Sequence, residues 1–169
     1  MPKPPAVPLP QTPPDPFEMA ARKFERQGAS RYMYDPVGFV RDCIDWKPGE
    51  ALTPYQEDIM GLLVKHRRLA VRGPHGLGKA TTAALLILWF ALTREAERID
   101  WKIITTAGAW RQLEMFLWPE VKKWTTRLKW DEVGRRPFKP DVEQMKLSIN
   151  LVYGAASAVA ATNHTYIEG

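Results

Sequence analysis

The sequence predicts an α/β fold: a mostly parallel sheet flanked by helices, carrying an N-terminal helical extension and a disordered proline-rich tail. Three observations predict it. From Leu69 onward the apolar segments follow the order strand, helix, strand, helix, strand, which is the order of a parallel sheet with covering helices. A glycine-rich loop joins the first of those strands to a long apolar helix. Ahead of them, the chain shows helix-start signals and no strand, as in a cap or small subdomain.

Taken in order, residues 1–16 hold eight prolines, which remove backbone donors and exclude helix and sheet ladders, so this stretch reads as an extended tail. Residues 17–50 read as a helical segment: one helix from Phe17 to about Gln27, and a second opened by Asp35-Pro36 and running to about Asp45. Lys47-Pro48-Gly49 breaks the chain. Residues 51–169 then read as a partial nucleotide-binding domain. A helix starts at Thr53-Pro54 and carries Ile59, Leu62 and Leu63 on one face. Leu69-Ala70-Val71 is a short apolar run that stops at the glycine-rich loop, and Lys79 to Leu92 is an Ala, Leu and Ile-rich helix without a polar face. Trp101 to Thr106 reads as a buried strand. Trp110, Leu113, Leu117, Val121 and Trp124 lie at helical spacing, with Pro119 predicted to kink or restart the helix. A polar, basic loop follows from Asp131 to Gln144, and Leu147 to Tyr153 alternates like a third strand.

Composition narrows the function classes. An apolar fraction of 45% with 25% charged residues is that of a soluble globular chain, and 169 residues suffice for one domain. The longest apolar run, Ala83 to Leu92, is about half the ~20 residues a membrane-spanning helix needs. The proline-broken N-terminus lacks the apolar core of a signal peptide, so a cytoplasmic protein with no membrane partner is expected. The single cysteine, Cys43, excludes an internal disulfide framework and reads as a small buried apolar residue. A formal charge of +5 leans toward a polyanionic partner. Lys122, Lys123, Arg127, Lys129, Arg135, Arg136 and Lys139, interleaved with Trp124 and Trp130, read equally as a DNA-backbone contact or as a solvated face over inward-packed tryptophans.

The chemistry-bearing motif is Gly73-Pro74-His75-Gly76-Leu77-Gly78-Lys79, which matches G-x-x-x-x-G-K between an apolar run and a helix. Glycines let consecutive backbone N–H groups turn inward as an anion nest, and the helix N-terminus adds partial positive charge. Lys79 is placed to reach the β- and γ-phosphates. Phosphate-loop nucleoside triphosphatases carry a Ser or Thr next, whose hydroxyl ligates Mg²⁺; here the residue is Ala80. Thr81 follows, rotated about 100° along the helix.

Several residues together resemble the N-terminal ATPase region of large terminase subunits, the DNA-packaging motors of tailed phages and prophages. They are Leu52-Thr53-Pro54-Tyr55-Gln56, Arg68 to Val71, Arg72 to Lys79, Lys102 to Ala107 with Gln112 and Leu117-Trp118, and the closing Tyr166-Ile167-Glu168-Gly169. The resemblance runs from about Leu52 to Gly169. It implies a P-loop NTPase-like sheet, ATP as ligand with Mg²⁺, sequence-independent double-stranded DNA, portal and small terminase subunit as partners, and a bacterial host cytoplasm. A sheet edge left open would favour a homo-oligomer. By the same resemblance Gln56 matches the glutamine that contacts adenine, although Thr53-x-x-Gln56 is equally a capping box. Gly73, His75, Gly76, Leu77, Gly78, Lys79 and Thr81 complete the implied nucleotide site. His75 stands where many terminases have an arginine proposed to stabilise transition-state charge, a poor match because histidine is mostly neutral at pH 7 and lacks the fork.

Two departures from the family stand out. Ala80 cannot ligate a metal, and no apolar run ending in Asp-Glu follows Lys79 before Gly169. The chain therefore reads as a fragment or truncated product of a motor, hydrolysis-deficient as it stands. A non-catalytic nucleotide- or partner-binding remnant and a fragment of a helicase-like ATPase remain as alternatives.

Overall fold

The computed structural model describes residues 27–74 and 76–160. The proline-rich tail, the helix expected from Phe17, His75 and the closing Tyr166 to Gly169 lie outside the described residues. The described elements are a 3-10 turn Gly28–Tyr32, then α1 Pro36–Cys43, α2 Pro54–His66, α3 Lys79–Ala96, β1 Trp101–Thr105, α4 Trp110–Gln112, a π turn Leu113–Leu117, α5 Trp118–Thr125, α6 Trp130–Val133, β2 Ser148–Asn150 and β3 Gly154–Ala158.

Helix starts are where local chemistry puts them. Asp35 caps α1 by accepting from the Gly38 amide at 2.8 Å, with Pro36 in the first turn where its missing N–H costs nothing. Thr53 and Gln56 form a capping box ahead of α2, again with proline in the first turn. Pro119 restarts the long C-terminal helix: the π turn ends at Leu117 and α5 begins at Trp118. A proline cannot donate to the carbonyl four residues back, and a wider turn takes up that lost bond.

The core is organised on α3. Ala84, Leu85, Leu88 and Ala91 are fully buried, as expected of a helix with no polar face. Around it pack Ala29 and Tyr32 of the 3-10 turn, Phe39, Val40 and Cys43 of α1, Trp118 and Val121 of α5, and Ile149 and Ala156 of the sheet. Each such Leu- or Phe-sized side chain contributes about 1.5–3 kcal/mol by leaving water. Residues before and after position 50 thus share one core cluster. Trp89 donates its indole N–H to the Tyr32 carbonyl at 2.7 Å, satisfying the one polar atom it brings inside. Cys43 is free and buried, and burial pushes its thiol up to about 12.

The sheet corrects the expected fold class. Instead of a mostly parallel sheet covered on both faces, the described residues hold one small mixed sheet of three strands, order β1-β3-β2. β1 and β3 run parallel, while β2 and β3 run antiparallel. Two differences produce it. Leu69-Ala70-Val71 forms no strand; Leu69 and Val71 are 37% and 39% exposed. Three apolar residues between Arg68 and Arg72 bury too little to offset the entropy of ordering a strand. The expected third strand is instead a hairpin. Leu151 N–H donates to the Gly154 carbonyl at 2.8 Å, and the chain turns back as β3 along β1. A Cβ at Gly154 would stand 2.1 Å from the Trp101 carbonyl, so only glycine allows that approach. Among the described residues one face is covered: Trp101 and Thr105 point into the core, whereas Lys102 and Ile104 are exposed.

Candidate functional site

The glycine-rich loop reaches α3 through two glycines in the left-handed region, Gly76 at φ 87° and Gly78 at φ 71°. A side chain at either would strain the backbone, so the loop geometry itself selects glycine. Gly78 is also the N-cap of α3 and offers no side-chain cap, so among the described residues no cap side chain closes the first turn of this 18-residue helix to an anion. Lys79 begins that helix, and its ammonium donates to the carbonyls of Gly73, at 2.8 Å, and Pro74. The lysine therefore lies over the loop, and an anion seated there would compete with two neutral carbonyls for its charge.

Gln56 supports the loop from behind. It is 6% exposed, and its Oε1 accepts from the Thr53 amide at 3.0 Å while its Nε2 donates to the Thr82 hydroxyl at 3.2 Å. Thr82 in turn donates to the Gly78 carbonyl at 3.0 Å. The chain of bonds ties the N-terminus of α2 to the first turn of α3. A Cβ at Gly78 would lie 3.1 Å from the Gln56 amide nitrogen, so this glycine also makes room for Gln56. At Gly73 a Cβ would lie 3.1 Å from a Leu77 methyl, which packs Leu77 across the loop.

In front of the loop lies a cleft of about 740 Å³, lined by Gly76, Gly78, Lys79, Ala80 and Thr81 on one side. The other side comes from α4, the π turn and α5, through Gln112, Met115, Phe116, Pro119 and Glu120. Thr81 bridges the two sides by donating to Glu120 Oε2 at 2.9 Å. The same oxygen accepts from the Trp124 indole at 2.9 Å, and Oε1 accepts from Lys123 at 3.2 Å. Partial burial pushes the Glu120 carboxyl up, but these three donors outweigh it and hold the group below the ordinary glutamate range.

Six of the expected site residues thus meet at one cleft or its loop: Gly73, Gly76, Leu77, Gly78, Lys79 and Thr81. Gln56 stands behind the loop rather than on the cleft, with the capping-box bonds made. Glu120, Gln112, Met115 and Phe116 were not anticipated as site residues. Glu120 meets Thr81 across 39 positions of sequence, a separation that no local pattern encodes.

No protein-family model matches the chain, and no curated protein matches it. Among the described residues no group of three or more His, Cys, Asp or Glu could hold a metal, and no helix is long and apolar enough to cross a membrane.

The basic cluster is largely partnered. Arg127 bonds the Asp45 carbonyl and Glu50, Lys129 donates to the Asp42 carbonyl at 3.1 Å, and Arg135 and Arg136 both pair with Glu143. Trp124 is buried against Trp46, and Trp130 packs edge-on against Phe138 at 5.0 Å. Trp124 therefore packs inward, while Trp130 is half-buried.

Proposed function

We propose that the Gly73–Lys79 loop and the N-terminus of α3 bind the phosphates of a nucleotide, ATP in the first instance. The observation that carries this reading is the set of three features at one point: glycines 76 and 78 in the left-handed region, an uncapped helix start, and Lys79 lying over the loop. Each favours an anion, and the cleft beside them has the volume of small-ligand sites, typically about 300–1,000 Å³. On binding, Lys79 would exchange the Gly73 and Pro74 carbonyls for phosphate oxygens, and the backbone N–H groups of the loop would orient the polyphosphate.

The chain's terminase-like motifs extend the proposal: an ATP-binding portion of a DNA-packaging ATPase, with DNA, portal and small subunit as the partners that likeness implies. The small mixed sheet gives that extension no support. Turnover is not expected of this chain. Ala80 supplies no oxygen where the hydroxyl would sit, and none of the described strands ends in a pair of acids to organise a metal and a water. The same two features favour, as a second reading, a non-catalytic nucleotide-binding module.

The test is titration of the purified chain with ATP by calorimetry, alongside Lys79→Ala. Weak, phosphate-dependent binding should fall by about tenfold or more in the variant, the loss of one charge-assisted contact worth roughly 1.5–3 kcal/mol. Equal affinity in both proteins would remove the assignment. An ATPase assay on the wild type should show no turnover above buffer, and robust Mg²⁺-dependent hydrolysis would refute the non-catalytic character.

A further inference from the structure

We infer that the Glu120 carboxylate holds a hydrated divalent cation, Mg²⁺ in the first instance, against phosphates bound in the adjoining loop. This rests on the phosphate-binding reading above and goes beyond it by assigning an acid to the site. The position carries the argument first. Glu120 is the one acid among the described residues lining the cleft, and it faces Gly76, Gly78, Lys79 and Ala80 across it. Its Oε2 is fixed 2.9 Å from the Thr81 hydroxyl, one residue beyond the alanine that cannot ligate.

Coordination chemistry then fits a single carboxylate. Mg²⁺ keeps several of its waters and is commonly held by one or two carboxylates together with substrate phosphates, so no all-protein cage is needed. Glu120 also has capacity left. Among the described residues Oε2 takes Thr81 and Trp124, while Oε1 accepts only from Lys123, whose side chain is 53% exposed. A carboxylate oxygen has two lone pairs, and an exposed lysine pair of this kind is worth little, so Oε1 can turn to a cation or its water shell. Thr81 and Trp124, which bond Oε2, favour the ionised form that a metal ligand needs.

The competing role is a purely structural clasp between α3 and α5. A glutamine would keep most of that clasp, because its amide can still accept from Trp124 and bond Thr81, but it carries no charge for a cation. The experiment therefore titrates wild type and Glu120→Gln with ATP, once in EDTA and once in saturating Mg²⁺. The readout is the ratio of the two affinities for each protein. Mg²⁺ should tighten ATP binding by the wild type about tenfold, a coupling of about 1.4 kcal/mol, and should leave Glu120→Gln nearly unchanged. If the ratio is the same in both proteins, or if Mg²⁺ does not tighten the wild type, the inference fails while the phosphate site stands. If the wild type binds no ATP even in EDTA, the phosphate reading fails and takes this one with it.

A second measurement needs no variant. With Mn²⁺ and ATP, the Trp124 indole N–H, bonded to Oε2, should be broadened in the NMR spectrum far more than that of Trp89. Trp89 lies ten residues along α3 from Lys79, about 15 Å away. Equal or absent broadening of the two signals would overturn the assignment.

Discussion

The first turn of α3 and its middle sit in opposite surroundings. From Ala84 to Thr93 the helix is buried on most sides, and even its polar atoms are consumed internally, as where Thr93 donates to the Trp89 carbonyl at 2.7 Å. From Lys79 to Thr81 it is half exposed, faces an open cleft, and starts from a glycine that caps nothing. The middle is where the fold gains stability; the first turn keeps a lysine outside the core. A rigid helix with a buried middle and a first turn that no side chain of its N-cap closes is a sound support for a binding site, because the site can be strained and exposed without unfolding the element that carries it.

The difference implies that substitutions in the first turn and in the middle act on different quantities. The largest expected effect is Leu88→Ala. It empties a fully buried position at the centre of the core and should cost about 2–5 kcal/mol in urea unfolding. A cost below about 1 kcal/mol would show that the middle of the helix is not the core described. Gln56→Ala joins the two regions, since it removes the capping-box partner and the bond to Thr82 together. It should destabilise by about 1–2 kcal/mol. ATP affinity should weaken less than in Lys79→Ala, because Gln56 supports the loop and does not line the cleft. A larger binding loss in Gln56→Ala than in Lys79→Ala would reverse those roles.

The smallest effect is on pH dependence. Glu120 and Glu143 are both held below the ordinary glutamate value in the folded chain, by hydrogen bonds and nearby arginines or lysine that outweigh their burial. A group whose folded value is depressed adds stability that is present above its unfolded value, about 4.3, and is lost as pH falls through the folded one. The melting temperature should therefore begin to drop below about pH 4. Replacing both residues with glutamine should flatten that drop; an unchanged profile would mean that neither carboxylate carries it.

How far the sequence revealed this arrangement follows from the range of the interactions involved. Asp35-Pro36, Thr53-Pro54 and Pro119 act within a turn of helix, so their elements are readable from a few residues. The apolar character of Lys79 to Leu92 and of Trp101 to Thr106 is likewise local, and α3 and β1 lie there. The sheet depends on partners far away in sequence. Leu69 to Val71 has the composition of a strand and no pairing, whereas Gly154 to Ala158 has small, weakly strand-forming residues and pairs because glycine lets it approach Trp101. The site divides in the same way. Its loop is contiguous and legible as a motif, while the opposite wall is assembled by packing α5 on α3, which brings Glu120 to Thr81 without any periodic signal.

Amide hydrogen exchange over residues 76–82, with and without ligand, tests the central claim most directly. If the loop and the first turn of α3 bind phosphate, ATP and inorganic pyrophosphate should both slow exchange there, and adenosine should not. The buried stretch from Ala84 to Thr93 should exchange slowly in every sample. Protection by adenosine equal to that by ATP, or no protection of residues 76–82 by either phosphate ligand, would contradict the account.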